Sequence, residues 1–237
     1  MRIDILTLFP EAVDAFLGES MIGRGRRDGL LDIRCHNIRD YCTDRYRRTD
    51  DYPYGGGQGM IMLCEPLARC LEDIKGGEDV HTLLMSPRGR TFNQHKACEL
   101  LERQRFAIVC GHYEGIDQRF IDTCIDEEIS LGDFVLTGGE IAAVTIADAV
   151  CRMVPGVLAE NASFEDESHF AGVLEYPQYT RPEVWRDMRV PEVLMSGHHE
   201  NIRKWRRKQS LEITRELRPD MFEKLELSKE DKKLLEV

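Results

Sequence analysis

No stretch of this 237-residue sequence stays apolar for the ~18 residues that a membrane-spanning helix needs, so no membrane partner is expected. The opening "MRIDILTLFP" is short and carries Asp4 within its apolar run, which reads as a strand rather than a secretory leader; the expected compartment is the cytoplasm. No CxxC pair occurs among the eight cysteines, spread from Cys35 to Cys151, so neither a disulfide framework nor a zinc site is expected. Most sit in apolar runs such as "FAIVC" and "AVCRMV", where a reduced thiol packs as a small hydrophobe. The P-loop pattern is missing, as are HExxH and GxSxG. "GRGRRDG" comes near the dinucleotide fingerprint, but its last glycine falls one place late and no apolar strand precedes it. His198 and His199 are adjacent, about 100° apart on a helix, and so are poorly placed to share a metal.

An excess of positive charge is missing too: the formal net charge is −11. That total does not exclude a nucleic-acid partner, because local patches set binding. The basic residues clump in "GRGRRDG", "DRYRR" and "RKWRRK", whereas acidic residues concentrate in "ENASFEDES" and near the C-terminus.

What is present, with 42% hydrophobic and 32% charged residues, is the composition of a globular protein with a real core. Apolar strand-like runs alternate with helical patterns as far as about Leu158: "IDILTLF", "LLDIRCHNI", "MIMLC", "VHTLLMS", "RFAIVC" and "EEISL". This alternation predicts an α/β fold with a mainly parallel sheet. Pro66 suits the first turn of one helix and Thr91 is the expected N-cap of another. A largely apolar helix is expected over 139–153. The acidic stretch 160–172 has no regular period and reads as a mobile linker. Beyond it, 197–217 reads as one amphipathic helix with Ile202, Trp205, Gln209 and Ile213 near one face, and Ser228 as the cap of a short last helix. The expected domains are 1–159, a linker at 160–172 and a small helical domain at 173–237.

Three segments at the carboxyl ends of expected strands are rich in small or polar residues: "MSPRGR", "CGHYEGIDQR" and "LGDFVLTGG". Open α/β sheets bind ligands at this edge. Backbone amides and carbonyls suit the hydrogen-bonding edge of an adenine, and no glycine cradle with a neighbouring lysine stands ready for phosphates. An adenosine ligand without phosphates therefore fits better than NAD or ATP. Arg152 lies one helical turn after Asp148. The pair reads equally as a surface ion pair or as a functional one, since a charge buried on an apolar helix is costly unless it faces a polar cavity.

Together "GHYEGIDQR", "SLGDFVLTGGE", "LEYPQYTRPEVW" and "VLMSGHHENIRKWR" resemble the bacterial tRNA (guanine-N1)-methyltransferases, which act on guanine 37 of tRNA, and the resemblance runs nearly end to end. It implies a SPOUT-type fold with a deep trefoil knot, an obligate homodimer, and S-adenosylmethionine as the methyl donor. It also suggests a part for magnesium, although no acidic cluster in the sequence identifies a metal site. By position it assigns the donor site to Gly111 and to Leu131, Gly132, Asp133, Phe134, Val135 and Leu136, with Ser86, Pro87, Tyr113, Glu114, Gly138 and Gly139 as neighbours. Arg152 matches the family's catalytic arginine. Glu167 stands where the family's general base is an aspartate, leaving adjacent Asp166 as the alternative. "GGGQG" resembles a glycine loop near the site, with Gln58 where proline is more usual, and Arg203, Lys204 and Arg207 are the expected tRNA contacts. The rivals are a non-catalytic RNA-binding protein, a nicotinamide oxidoreductase, disfavoured by the missing fingerprint, and a SPOUT enzyme acting on ribose or another RNA, against which the length of the matched motifs argues.

Overall fold

Two segments, "RIDILT" and "RFAIVC", make the middle of the main sheet, because only nearly continuous apolar runs can be covered on both faces. The computed structural model describes residues 1–158, 167–170 and 172–235. The chain divides into two units, 1–161 and 162–237. In the first, β1 (Arg2–Thr7), α1 (Pro10–Leu17), α2 (Ser20–Arg27) and β2 (Asp32–Asn37) lead through a 3₁₀ turn, Ile38–Tyr41, to a small hairpin of β3 (Asp50–Asp51) and β4 (Ile61–Met62). There follow α3 (Cys64–Lys75), β5 (His81–Thr91), α4 (Gln94–Arg103), β6 (Arg105–Cys110), α5 (Gln118–Cys124), β7 (Glu127–Ser130) and α6 (Glu140–Cys151). Five strands form a wholly parallel sheet in the order β2-β1-β6-β5-β7. The expected α/β class is therefore observed. "MIMLC" gives only β4, which stands outside the main sheet.

Alternation along β6 sends Ala107 and Val109 into a core with Leu67 and Leu71 of α3 and Phe120 of α5. Phe106, Ile108 and Cys110 take the other face, where α6 packs against β6 and against α1 and α4. α6 buries Ala142, Ala143, Ile146, Ala147 and Val150, small residues that let it lie close to the sheet. Asp148 stands on its exposed side, so the burial penalty considered for an Asp148–Arg152 pair does not arise. Two local expectations are corrected. Thr91 is the last residue of β5, and Asn93 caps α4, its side chain accepting from Lys96 N–H at 3.0 Å. "MSPRGR" is no free loop but lies within β5, where Met85 and Arg90 both pair with Ile129 and the residues between them bulge out of the ladder.

In the second unit, β8 (Val184–Trp185) and β9 (Met188–Arg189) form a hairpin, followed by α7 (Glu192–Met195), α8 (His199–Leu217), α9 (Pro219–Phe222) and α10 (Lys229–Leu234). α8 matches the expected long helix, but its fully buried positions are Ser210, Leu211 and Thr214, while Ile202, Trp205, Gln209 and Ile213 are half-buried. Reading apolarity alone misplaced the face. The Thr214 hydroxyl donates to Ser210 C=O at 2.6 Å and accepts from Leu174 N–H at 2.8 Å, so a polar side chain can be buried there satisfied. Ser228 caps α10 as expected, in a reciprocal capping box with Asp231. Most of the stretch expected as a linker lies outside the described residues; 167–170 form turns.

Asp4, fully buried in β1, is a charged residue in the core of the first unit. Burial pushes its pKa up, but hydrogen bonds from His36 at 2.9 Å and Arg2 at 2.9 and 3.1 Å outweigh that and hold it below the ordinary value. A depressed carboxylate contributes stability above its unfolded pKa and loses it as pH falls towards the folded one. Asp4→Asn should therefore destabilise the protein by about 3 kcal/mol at neutral pH. In denaturant melts the gap to wild type should hold down to about pH 4 and narrow below it.

Candidate active site

A cavity of about 420 Å³ opens at the bulge of β5, the carboxyl ends of β6 and β7 and the start of α6. Each wall has a local cause. The bulge in β5 carries Ser86, Pro87 and Arg88 out to the cavity. The chain after β6 turns sharply through Tyr113, held at φ 58° in the left-handed region, and Gly115 N–H closes the turn on His112 C=O at 3.2 Å. After β7, Ser130 Oγ accepts from Gly132 N–H at 3.1 Å and Phe134 N–H bonds Gly132 C=O at 2.9 Å, a tight turn that presents Phe134, Val135 and Leu136. The last wall depends on a missing side chain. A Cβ on Gly139 would sit 2.7 Å from Cys110 Cα and 3.0 Å from Gly111 N, so only glycine lets the entry to α6 lie against the end of β6.

All the residues expected at the donor site line this cavity except Gly132 and Asp133. Gly132, at φ 150°, instead shapes the turn behind Phe134. The "GGGQG" loop lies next to the lining: Glu114 N–H donates to Met60 C=O at 3.0 Å, and a Cβ on Gly59 would meet the Glu114 side chain at 2.4 Å. Sequence reasoning did not single out His112, Arg88 and Gln118, although each stands in a quoted segment, nor the apolar Ile116, Ile121 and Ile129. The isoleucines gave no signal of their own, because an apolar residue in a core-forming run looks the same whether or not it borders a cavity. Arg88 bonds Gln118 at 3.3 Å and Glu128 at 3.3 Å. Arg152 follows α6 in the first unit and Glu167 is half-buried in the second; neither lines the cavity. Asp166 lies outside the described residues.

Residues 1–224 match the family described as "tRNA (Guanine-1)-methyltransferase TrmD". The chain belongs to this family. Among its relatives is the "tRNA (guanine-N(1)-)-methyltransferase" of Clostridium perfringens, 57% identical over 99% of both chains. Those of Clostridium acetobutylicum (55%, 99% of this chain and 96% of the relative) and Ruminiclostridium cellulolyticum (52%, 95% and 97%) bear the same name.

The second unit of this tRNA (guanine-1)-methyltransferase family member carries the expected RNA contacts on α8, each with a carboxylate beside it. Arg203 bonds Glu200 at 3.0 Å and Glu230 at 2.6 Å, and Lys204 lies 3.3 Å from Glu200. Arg207 is bound differently, through two bonds of 2.7 and 3.1 Å to Asp231, the nearly buried member of the capping box. The Arg207 guanidinium, bonded to both of its oxygens, holds the Asp231 carboxyl down at about 2. Arg206 stacks over Tyr176, 4.9 Å from its ring centre.

All eight cysteines are free; Cys70, Cys110 and Cys151 are buried and the others half-buried. Burial pushes the Cys35 thiol up to about 11 and Cys151 up to about 12, so these thiols stay protonated at neutral pH. Among the described residues no helix is long and apolar enough to cross a membrane.

Close approach at Gly139 can be tested by filling it. In a protein that keeps its circular dichroism, Gly139→Val should abolish whatever calorimetric binding the wild type shows for S-adenosylmethionine, the donor expected from the sequence. Affinity equal to wild type would show that the contact does not shape the ligand site.

Proposed function

We propose that the chain transfers a methyl group from S-adenosylmethionine to N1 of guanine 37 in the anticodon loop of tRNA. The observation that carries this reading is a cavity walled by turn backbone at the carboxyl edge of a parallel sheet, in a member of a tRNA (guanine-1)-methyltransferase family. Its lining includes Glu114 and no lysine, and Arg88 at its edge is already bonded to Gln118 and Glu128, which suits a cationic sulfonium ligand better than a polyphosphate. Ser86, Pro87, Gly111, Tyr113, Glu114, Leu131 and the run from Phe134 to Gly139 would hold the donor, with Gly132 and Asp133 shaping the turn. When bound, the donor supplies a methyl already activated by a positive sulfur.

The chain's own task is then the acceptor, whose N1 carries a proton and sits on the pairing edge of the base. The target base leaves its stack to be reached. Glu167 takes the N1 proton as N1 gains the methyl, and the donor sulfur departs as a neutral thioether. Arg152 offsets the negative charge that gathers on O6. For magnesium, the described residues offer no group of three or more His, Cys, Asp or Glu placed to hold an ion, and no step is assigned to it.

The reading includes the knotted SPOUT arrangement of the first unit, functional segments at 1–159, 160–172 and 173–237, and a cytoplasmic homodimer. In keeping with self-association, Phe134, Val135 and Ile141 are 55%, 80% and 62% exposed around the cavity mouth and the start of α6, apolar surface that a second copy would cover.

The decisive experiment is to incubate tRNA with labelled donor and map the modified base: label at guanine 37 N1 is expected, and label on ribose or on another base would overturn the assignment. Within it, Glu167→Gln should keep donor and tRNA affinity while slowing single-turnover methyl transfer by roughly 10²–10⁴-fold. Asp166→Asn should do much less; the reverse pattern would move the base to Asp166.

Exposed cations that exchange one anion for another should act additively on tRNA. Replacing both Arg203 and Lys204 with alanine should weaken binding and reduce the slope of log affinity against log salt by about 2. Arg207→Ala should also lower the melting temperature, since it leaves the Asp231 carboxylate without its partner. Unchanged tRNA affinity and salt slope in the double variant would remove α8 from the interface.

A further inference from the structure

Three side chains from distant segments meet beside the cavity. Thr7, fully buried at the end of β1, donates its hydroxyl to Glu140 Oε1 at 2.7 Å and accepts from Phe9 N–H at 2.9 Å. The other carboxylate oxygen, Glu140 Oε2, pairs with His112 Nε2 at 2.8 Å. His112 lines the cavity, packs its ring on Phe9 with centroids 5.1 Å apart, and donates its backbone N–H to the Met62 sulfur at 3.2 Å. The side chains of His112 and Glu140 are only 19% and 15% exposed, so little water competes for these bonds.

One carboxylate thus ties together three connections: β1 to α1, β6 to α5, and β7 to α6. Glu140 opens α6, where unpaired helix N–H groups favour an anion. The packing around it is tight. A Cβ on the preceding Gly138 would lie 2.3 Å from His112 Nε2 and 2.6 Å from Glu140 Oε2. Thr7 and Glu140 do not line the cavity, so they reach a ligand only through His112 and the Gly138–Gly139 turn.

We propose that Thr7, Glu140 and His112 form a positioning device for the methyl donor. The chain holds the β6 loop and the glycine turn at the separation the donor requires, sets donor affinity, and takes no part in removing the guanine proton. This rests on the S-adenosylmethionine reading of the cavity. All three are positioning residues: Thr7 and Glu140 act through His112, and His112 acts by holding the turn.

Three variants probe the chain from different ends. His112→Phe keeps a ring against Phe9 and deletes Nε2. His112→Gln places an amide N–H near the Nε2 position and serves as the rescue. Thr7→Val keeps the shape at β1 and leaves the cavity lining unaltered. Calorimetry gives the affinity for S-adenosylmethionine and S-adenosylhomocysteine, and single-turnover assays at saturating donor give the chemical step.

Loss of a hydrogen bond to a charged group predicts a rise in donor Kd of roughly 10- to 100-fold for His112→Phe and Thr7→Val. Transfer by Thr7→Val at saturating donor should stay within about threefold of wild type, the split expected when binding alone is lost. His112→Gln should recover most of the affinity. Folded variants that bind donor like wild type, or a rate loss that saturating donor fails to restore, would overturn the proposal. Should His112→Phe not fold, Thr7→Val and His112→Gln decide it by the same readouts. A wild-type protein that binds neither compound would instead sink the donor reading, and this proposal with it; tight wild-type binding with unaltered variants would remove the positioning device alone.

Discussion

Main chain meets main chain where Gly139 enters α6, and the shape of the surrounding site depends on that contact. Gly139 N–H donates to Gly111 C=O at 2.9 Å while its Cα hydrogens face Cys110, leaving no volume for a side chain. Gly111 directly follows β6, the strand flanked by β1 and β5 at the middle of the sheet. The start of α6 is therefore referenced to the most buried strand rather than to a surface loop, and Ala143 N–H continues the helix from Gly139 C=O at 2.9 Å. With that point fixed, the turn from Leu131 to Gly138 must fold back over the strand ends, and the cavity is the space it encloses with the β5 bulge and the β6 loop. A binding site built this way owes its shape to backbone, which varies less between rotamers than any wall of long side chains.

Much of this was legible in the sequence because its causes are local. Apolar runs of strand length with helices between them dictate a parallel sheet, and a serine three residues before an acid dictated the cap of α10. Two of the three segments expected to face a ligand follow those runs, whereas "MSPRGR" lies inside β5. The rest depended on partners far away in sequence. Nothing near Thr91 shows that β5 continues that far, since the continuation is a pairing with β7. The buried positions of α8 include Thr214, whose burial is made possible by hydrogen bonds rather than apolarity. The Thr7–Glu140–His112 chain spans 133 positions in one bond and 28 in the other, so no window of sequence could contain it. The functional roles of Arg152 and Glu167 came from resemblance to a family and from no spacing rule.

The second unit shows why a net charge says little about partners. Arg203, Lys204 and Arg207 on α8 are already answered by carboxylates of the same unit, two at the exposed surface and one against the nearly buried Asp231. The exposed pairs are worth little to folding and can be exchanged for other anions; the Arg207–Asp231 pair belongs to the architecture of the unit. The same residue type thus serves two ends on neighbouring turns of one helix, and the distinction rests on what lies behind the guanidinium rather than on the basic run itself.

An alkylating ligand would endanger its own host, and the cysteine next to the cavity is a nucleophile in its neighbourhood. Cys110 immediately precedes cavity-lining Gly111, and thiolates are the softest nucleophiles a protein carries. Its side chain is wholly buried on the α6 side of β6, and burial raises its pKa well above the ordinary value, so that it remains a neutral thiol. A methyl donor in the cavity would therefore meet neither a thiolate nor an exposed sulfur at this position.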